Sequence, residues 1–519
     1  MSTIEEYPPT PGAVPGADHR LRVGGRAVFV ETTAGVSYAR FAMSGAVDVE
    51  VEVDRPISGH WIEPVSRILS PAIAGNTVRF VLPEPGAIVV RIVGLEPLFV
   101  LADPPDDDPP IAGSPGVIDL TAAGADPSGR RLASGAIQAA LDDAGAGAGG
   151  GTVLIPPGIF RSGTLTLRSN VTLYLAPGAL LQGSDDPADY PIDPGRHETA
   201  SDTTLAPDVR YLGRTMTFSR LLLVDRAEHV RIRGRGTIDG AGTVLRMRHG
   251  AAPNLLRVRE SADVIIDDVL FRNAAAWSLH VLASRDVTMR NLKIVNDRAN
   301  LNTDGIDLDM STDVSIERAF IHTKDDAICV KATGNGDLTG DPARITVTDS
   351  VVSSLDAGLK VGTETAATTI SDIVFEDVFV FDSGRAMSVV VRDGAIVERV
   401  TFSRIRVGSD VDHLVEQVIG VRDPEIDLGV IRELAFEDVV APTWTPPASD
   451  WTWYAQFRPG RPGRGTPVDV FEGADPTHAV DGLAFRRFVV NGRHVTDAST
   501  ARDVAHLTIG PHVRNVTFD

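Results

Sequence analysis

The sequence contains a single cysteine, Cys329, among its 519 residues. An intrachain disulfide and a cysteine-based metal cluster are therefore both excluded. Long apolar runs are also missing, and none could span a bilayer. Residues 1–6 lack the basic and apolar segments of a signal peptide. These absences predict a cytoplasmic protein with no membrane partner, or a secreted one if a signal peptide has been removed.

Positive charge is scarce. The chain has 49 Lys and Arg against 70 Asp and Glu, which gives a formal net charge of -21. A field of that sign repels phosphate backbones, so we predict no nucleic-acid partner. The 49 glycines and 34 prolines favour many turns and few long helices. A chain of this length is expected to form at least two structural units or one elongated repeat.

Residues 20–101 show the pattern of a small β-domain. Segments such as 46–53 and 77–81 alternate apolar and polar residues, which is the period of a strand with one buried face. Turn residues separate these segments. The pattern predicts a small antiparallel β-sandwich at 20–101, preceded by an N-terminal tail at 1–19.

A linker and one helix follow the predicted sandwich. The Pro- and Asp-rich stretch 103–110 predicts a stiff linker over 102–115 and a domain boundary. Apolar spacing over 134–144 predicts a helix with Ser134 as its N-cap. A helix that precedes a long run of strands could cap the end of an elongated core.

An internal repeat occupies most of residues 116–519. Apolar residues recur at relative positions 0, 2, 5 and 7, and the phase break between 2 and 5 indicates a bend between two short strands. Copies made only of short strands cannot bury their apolar faces alone, so they must stack. Because the helix signals of other solenoids are missing, the repeat predicts an all-β parallel β-helix. The copies begin at Val264, Val287, Val314, Ile345, Ile373, Val400, Leu434 and Leu483.

A third short strand in each coil aligns neighbouring coils. It begins at Leu279, Ile306, Ile328 and Leu359. Aspartates lie two or three residues before it in successive coils, and stacked strands lie about 4.8 Å apart. We therefore predict that four aspartates meet at one corner, namely Asp304, Asp325, Asp326 and Asp356.

Stacked carboxylates repel one another, so such a cluster indicates a function. Glycoside hydrolysis needs two carboxyl groups, one protonated and one ionised. Crowding of like charges raises the pKa of one carboxyl above those of the others.

Each of these aspartate motifs alone has a simpler explanation. The segment 302–305 is an ordinary turn sequence, Asp325 and Asp326 could form a solvated corner, and aspartates in loops also bind calcium.

The segments 302–307 (NTDGID) and 324–329 (KDDAIC) resemble the family 28 glycoside hydrolases, the polygalacturonase family. The resemblance implies a right-handed β-helix, inversion at the anomeric carbon, and no cofactor or metal. It also implies that Asp325 is the general acid, whereas Asp304 and Asp326 position and deprotonate the water.

Two elements of the family differ here. The family's Gly-His-Gly element aligns with residues 356–358 (DAG), without the histidine, and its Arg-Ile-Lys element aligns near 390–392 (VVR), with one base. A neutral or differently substituted sugar is therefore an alternative to a uronic acid.

Two further residues could bind the substrate, and each has an alternative explanation. His280 could instead be a structural histidine, and Trp277 could instead be a buried core residue. The predicted substrate-binding residues are Trp277, His280, Asn302, Asp356, Lys360, Glu364 and Arg392.

An insertion at about 442–480 is rich in aromatic residues, namely Trp444, Trp451, Trp453 and Tyr454. Aromatic rings in a loop beside a carbohydrate cleft could form a sugar platform. They could equally form a hydrophobic plug that seals the coil.

Three other functions remain open: a family 49-like dextranase or α-glucan hydrolase, a calcium-dependent polysaccharide lyase, and a non-catalytic carbohydrate-binding β-helix. In the lyase, the aspartates would bind the metal and Lys360 or Arg392 would abstract the proton. The favoured prediction is a glycoside hydrolase acting on an oligosaccharide or polysaccharide. A cytoplasmic location would favour exo-action on short chains. The oligomeric state is left open.

Overall fold

The computed structural model describes residues 2–147, 149–191, 219–334, 338–421, 425–445 and 469–519. Two sheets packed face to face occupy residues 3–103, and stacked parallel coils occupy residues 117–518. The predicted fold class, a right-handed parallel β-helix behind an N-terminal β-sandwich, is confirmed. Among the described residues, no helix combines the length and hydrophobicity needed to span a bilayer.

The sandwich consists of a seven-stranded and a five-stranded sheet. In strand Val47–Glu52 the valines are buried and Asp48 is exposed, as expected for a strand with one face on the core. The larger sheet contains Val14–Pro15, Glu31–Thr33, Val36–Ser44, Leu98–Asp103, Gly86–Ile92 and His60–Glu63 in spatial order, with Thr3–Glu6 also paired to Val36–Ser44. The smaller contains Arg26–Val28, Arg20–Val23, Val47–Glu52, Thr77–Leu82 and Leu69–Ala74.

Two details of the predicted sandwich need correction. Strand Leu98–Asp103 pairs in parallel with Val36–Ser44, so the sandwich is not wholly antiparallel. Strands Thr3–Glu6 and Val14–Pro15 belong to the larger sheet, although the sequence predicts a tail at 1–19. These segments are short and partners for their backbone groups come from distant residues, so local periodicity does not reveal them.

Three parallel sheets form the β-helix. The first contains Val117–Asp119, Gly151–Ile155, Val171–Leu175, Glu228–Gly234, Ala262–Asp267, Arg285–Arg290, Thr312–Glu317, Ala343–Thr348, Thr369–Glu376, Ile396–Ser403, Val430–Glu437, Val480–Arg486 and Val513–Phe518. The second contains Ser128–Leu132, Gly158–Ser162, Ala179–Gly183, Thr237–Asp239, Leu270–Arg272, Lys293–Val295, Phe320–Thr323, Val351–Ser354, Phe379–Val380, Arg406–Val407, Val440–Ala441, Val489–Val490 and the antiparallel Arg493–His494. The third contains Leu165–Leu167, Arg220–Asp225, Asn254–Arg259, Leu279–Leu282, Ile306–Asp309, Ile328–Ala332, Ala357–Thr365, Arg385–Val391 and His413–Ile419. A separate pair joins Val470–Phe471 to Thr508–Ile509.

The register of the coils agrees with the predicted repeat. All eight predicted first positions pair in sequence along the first sheet, from Val264 with Val287 to Leu434 with Leu483. In the third sheet Leu279 pairs with Ile306, Ile306 with Ile328, and Ile328 with Leu359. The alignment that brings the aspartates to one corner is therefore confirmed.

Aromatic rings fill the core of the later coils. Phe375, Phe402, Phe436, Phe485 and Phe518 stack in succession with ring centroids 5.1, 5.4, 5.5 and 5.4 Å apart. Because equivalent positions on successive strands lie about 4.8 Å apart, one phenylalanine per coil yields this spacing.

Three helices accompany the strands of the described residues: Ser134–Ala146, Gly242–His249 and Ala498–Ala505. The first was predicted, and its Ile137 and Leu141 are buried in the β-helix core. The N-cap prediction is wrong, because Ala133 occupies that position and Ser134 begins the helix. The Ser134 hydroxyl instead accepts a hydrogen bond of 2.8 Å from the Gly163 amide. Short 3₁₀ turns occur at Val65–Arg67 and Pro187–Asp189.

The sandwich packs on the second sheet of the β-helix. Phe99 lies against Phe320, with ring centroids 4.7 Å apart, and against Phe381 at 6.2 Å. Beside this apolar contact, buried Asp103 accepts hydrogen bonds from Lys293 and Asn291. In the predicted linker, Asp106 accepts a hydrogen bond of 2.7 Å from Tyr174 and one of 3.0 Å from Arg233. The linker is thus bound to the β-helix.

Only one aromatic residue of the predicted insertion loop lies among the described residues. Trp444 is buried, and its indole N–H donates to the carbonyl of Val411 over 2.9 Å. This packing agrees with the plug and not with the platform. Trp451, Trp453 and Tyr454 lie outside the described residues.

We expect Phe402→Ala to lower the free energy of unfolding by about 3–5 kcal/mol, because it opens a cavity in the phenylalanine stack. Urea-induced unfolding followed by fluorescence would measure this. Val93→Ala is the control, because Val93 is 50% exposed and little burial is lost there. Equal effects of the two substitutions would contradict the assigned role of the stack.

Candidate active site

Three aspartates meet where the third sheet begins on two successive coils. Asp304 precedes strand Ile306–Asp309, and Asp325 and Asp326 precede strand Ile328–Ala332. The Gly305 amide donates to the Asp326 carbonyl over 2.8 Å, which fixes the stacking of the two turns. One carboxylate oxygen from each aspartate lies within 4.8 Å of the others. The structure therefore brings together the three residues that the sequence predicts as catalytic.

Asp325 is the most exposed of the three. It is half-buried, whereas Asp304 and Asp326 are buried. Its backbone carbonyl accepts hydrogen bonds of 2.7 Å from the hydroxyls of Thr323 and Ser354, so its turn is held firmly. Among the described residues, no basic side chain forms an ion pair with Asp325.

Asn302, a predicted substrate-binding residue, belongs to the same group. Its amide N–H donates to Asp325 over 3.5 Å, and its carbonyl oxygen accepts a bond of 3.1 Å from Arg246. Asn302 has a φ of 55°, a left-handed conformation that asparagine tolerates better than most residues. Arg246 comes from helix Gly242–His249 and thereby orients Asn302 towards Asp325.

Two lysines contact the other aspartates. The Lys360 Nζ donates to Asp326 Oδ2 over 2.7 Å. Lys331 Nζ lies 2.6 Å from Asp307 Oδ1, 3.6 Å from Asp304 Oδ2 and 3.8 Å from Glu364 Oε2. Lys360 and Glu364 thus lie at the cluster, and their contact with a substrate stays a prediction.

Burial and like charges shift the carboxyl pKa values upwards. Burial, then the charges of Asp307 and Asp325, raise the pKa of Asp304 well above its ordinary value, against the opposing charge of Lys331. Burial and Asp326 raise the pKa of Asp325. Burial raises the pKa of Asp307 to about 7, although Lys331 opposes this. The cluster therefore retains protons at a pH where isolated aspartates would be ionised.

Asp356 does not join the three-aspartate group. It occupies the equivalent corner on the next coil, but it forms an ion pair with Arg385. Arg385 also lies 3.0 Å from Glu416. This ion pair occupies part of the hydrogen-bonding capacity of Asp356, and its contact with a substrate stays a prediction.

His280 is buried and structural. Its Nε2 lies 3.0 Å from Asp309 Oδ2, and burial lowers the pKa of His280 to about 4. The predicted substrate contact is therefore not retained. Trp277 is half-buried, and its ring centroid lies 4.2 Å from Lys331 Nζ and 4.8 Å from the His280 ring. One side of this indole is thus used by the protein itself.

Arg392 directly follows the third-sheet strand Arg385–Val391, one coil after the strand that contains Glu364. Its backbone amide donates to the Thr365 hydroxyl over 3.1 Å, directly after Glu364, and its side chain is half-buried. This location agrees with a place beside the cluster, and its substrate contact stays a prediction.

The sequence did not reveal Asp307, Lys331 or Arg246. In the strand register of the third sheet, Asp307 lies opposite His280 on one side and Cys329 on the other, and Lys331 lies opposite Asp309. All of these positions face outwards from the core. The alignment of third strands could have found Asp307, one residue after Ile306, and Lys331, three residues after Ile328. Arg246 comes from a helix outside the repeat and had no such signal.

The arrangement can hold a proton, a water molecule or a cation. Asp304 Oδ1 and Asp326 Oδ1 are buried with no hydrogen-bond partner among the described residues. Buried acceptors of this kind usually bind water or another polar group. Three carboxylate oxygens at this spacing form a group that could hold a cation, but Lys331 and Lys360 already place positive charge 3.6 Å from Asp304 and 2.7 Å from Asp326 and oppose its binding.

Comparisons with known proteins agree with this geometry. Residues 212–406 match the family described as glycosyl hydrolases family 28. A probable polygalacturonase from Vitis vinifera is 29% identical over 251 residues, which cover 45% of this chain and 48% of the relative. The chain spans about half the length of the curated relatives it matches.

Solved structures resemble the whole chain. The family 28 exopolygalacturonase of Yersinia enterocolitica shares 16% identity, with 97% of each chain covered and a TM-score of 0.53. Dex49A from Penicillium minioluteum shares 12% identity, with 98% of this chain and 96% of that chain covered and a TM-score of 0.61. At these identities the likeness shows the fold alone, and it extends over the sandwich and the β-helix.

We expect Asp304→Asn to stabilise the protein at neutral pH. A carboxyl whose pKa is raised in the folded state contributes stability below the pKa of the unfolded state, and this stability is lost as the pH rises. The substitution should therefore raise the free energy of unfolding near pH 7.5 and change it little near pH 4. Unfolding measured at both pH values would test this.

Asp372→Asn is the matched control. Asp372 is half-buried outside the cluster, and its hydrogen bond with Arg399 lowers the pKa of Asp372. Its removal should cause a small loss of stability at neutral pH, opposite in sign. A loss of stability for Asp304→Asn at both pH values would refute the expectation.

Proposed function

We propose that this protein, whose β-helix is related to the glycosyl hydrolases of family 28, is a glycoside hydrolase that acts at the Asp304 corner. The observation that carries the proposal is the meeting of three carboxyl groups in three different environments. Asp326 is paired with a lysine, Asp304 shares a lysine with Asp307, and Asp325 is half-buried beside Asn302. Acid–base hydrolysis requires carboxyls that differ in protonation.

Asp325 is proposed as the general acid. Its raised pKa favours the protonated form, and its greater exposure favours contact with the leaving oxygen. Lys360 and Lys331 oppose this protonation, but burial and the charge of Asp326 outweigh them, so the pKa of Asp325 stays raised.

Asp304 and Asp326 are proposed to hold and deprotonate the attacking water. Each has one buried oxygen without a hydrogen-bond partner among the described residues, and a water between them would satisfy both. Attack by a water on the face opposite the acid inverts the anomeric configuration. The cluster is compact: its closest oxygens lie within 4.8 Å, whereas the two carboxyls of inverting enzymes are usually about 6.5–9.5 Å apart. The anomer of the first product is therefore the decisive measurement.

The cations at the site bear on whether the substrate is a uronate or a neutral sugar. Polygalacturonases are named among the relatives, and a uronate needs a cation at the site. Here Lys331, Lys360 and Arg385 are each paired with acids. We propose a screen of galacturonan oligosaccharides beside neutral oligosaccharides, since this pairing favours a neutral or differently substituted sugar.

Asp325→Asn should lower kcat by about 10²–10⁴-fold on the best substrate of this panel, because the leaving group loses its proton donor. NMR of the first-formed anomer in the wild type should show inversion. Asp313→Asn, an exposed aspartate paired with Arg344, should leave kcat unchanged. Undiminished hydrolysis by Asp325→Asn would remove Asp325 from the mechanism.

The same assay separates hydrolysis from a calcium-dependent lyase reaction. EDTA should leave the rate unchanged, and no unsaturated uronic product should form. Loss of activity with EDTA together with an unsaturated product would favour the lyase.

We also propose exo-action on short chains, which agrees with the exopolygalacturonases among the structural relatives. Size-exclusion chromatography should show monosaccharide or disaccharide release while the mean length of a long polymer falls slowly. A rapid fall in polymer length would indicate internal cleavage.

A further inference from the structure

Lys331 lies in a site of its own next to the three aspartates. It is buried, with 3% of its surface exposed, on the third-sheet strand Ile328–Ala332. Burial of an ammonium group is costly unless anions surround it. Its contacts are therefore informative about what the charge does there.

Four groups enclose the Lys331 ammonium. Asp307 lies 2.6 Å away, Asp304 3.6 Å and Glu364 3.8 Å, while the Trp277 ring centroid lies 4.2 Å away. A cation over an indole face gains a further attraction when water is excluded. These partners come from three coils besides that of Lys331, so the ammonium cannot move away without losing several of them.

Asp304 and Asp307 compete for this one lysine. They are three residues apart on the same coil, and both are buried. Among the described residues, Lys331 is the only basic side chain that forms an ion pair with either. Because Asp307 is nearer, its charge state decides how much of the lysine's field reaches Asp304.

We propose that Lys331 is a positioning residue whose charge favours the ionised form of Asp304 needed for water activation, and that Asp307 moderates this effect. The inference rests on the proposed function, in which Asp304 is part of the base. Lys331 acts through Asp304 and need not touch the substrate.

Other titratable groups face the same space. On the coil of Asp304 is Asp307, on the preceding coil is His280, on the coil before that is Arg257, and on the following coils are Asp325, Asp326, Cys329, Lys360 and Glu364. Burial alone would lower the pKa of Lys331, but Asp307, Cys329, Glu364 and Asp304 raise it well above its ordinary value. Lys331 thus stays charged throughout the working pH range, and titration at the site belongs to the acids.

The test uses two substitutions with opposite expected signs. Lys331→Met removes the cation, so the pKa of Asp304 rises and the acidic limb of the kcat/KM profile moves to higher pH by about one to three units. Asp307→Asn removes the competing anion, so the pKa of Asp304 falls and the limb moves to lower pH. Lys331→Arg keeps the charge and should move the limb little.

A matched control separates this effect from a merely structural role. Lys293 is also buried and paired with an aspartate, Asp103, at the domain interface. Lys293→Met should destabilise the protein as Lys331→Met does, but it should leave the pH profile in place. If Lys331→Met does not fold, the double variant Lys331→Met/Asp307→Asn removes both charges together and still leaves Asp304 without its lysine.

A second measurement does not require activity. Selective ¹³C labelling of aspartate carboxyls, with the Asp304 signal identified by its loss in Asp304→Asn, reports the pKa of Asp304 directly in the full chain. We expect opposite shifts in Lys331→Met and Asp307→Asn. Unchanged titration of Asp304 in both variants would overturn the inference.

The two proposals fail in different ways. A wild type that cleaves no sugar of the panel would contradict the proposed function, while the NMR titration would still decide whether Lys331 controls Asp304. An active wild type whose pH profile is insensitive to Lys331→Met and Asp307→Asn would refute the inference alone.

Discussion

Backbone hydrogen bonds between coils hold Asp304 beside Asp326, because the Gly305 amide donates to the Asp326 carbonyl and the Ser278 amide donates to the Asp304 carbonyl. The same ladder sets which side chains face inwards at every level of the solenoid. A slip of one residue in a strand would turn its apolar side chains outwards and its polar ones inwards. The site therefore depends on the apolar core for its geometry.

This dependence explains what could be predicted from the sequence. Positions such as Val264 and Val287 repeat because they are buried in every coil, and that repetition aligns Asp304 with Asp326. Polar residues on the outward face have no such period. Lys331 and Asp307 are recognised as a pair only when their coils are stacked, and Arg246 reaches Asn302 from a helix outside the repeat. His280 illustrates the reverse error, because an outward position on a strand can still be buried.

The buried charges at the Asp304 corner lower the stability of the fold. Several carboxyls and two lysines are removed from water, and each unpaired charge there costs more than a surface charge. A purely structural corner would carry asparagine or threonine. The surrounding ladders of apolar side chains are extensive enough to tolerate this cost, as active sites commonly require of their scaffolds.

The docking of the sandwich has a consequence for how such a chain evolves. Phe99 and Asp103 belong to one domain, and their partners Phe320 and Lys293 belong to the other. If the first domain were lost, the second sheet would expose an apolar patch and a buried lysine would lose its counter-ion. Recombination that exchanged the leading domain of this chain would therefore need matching changes on both sides of the contact.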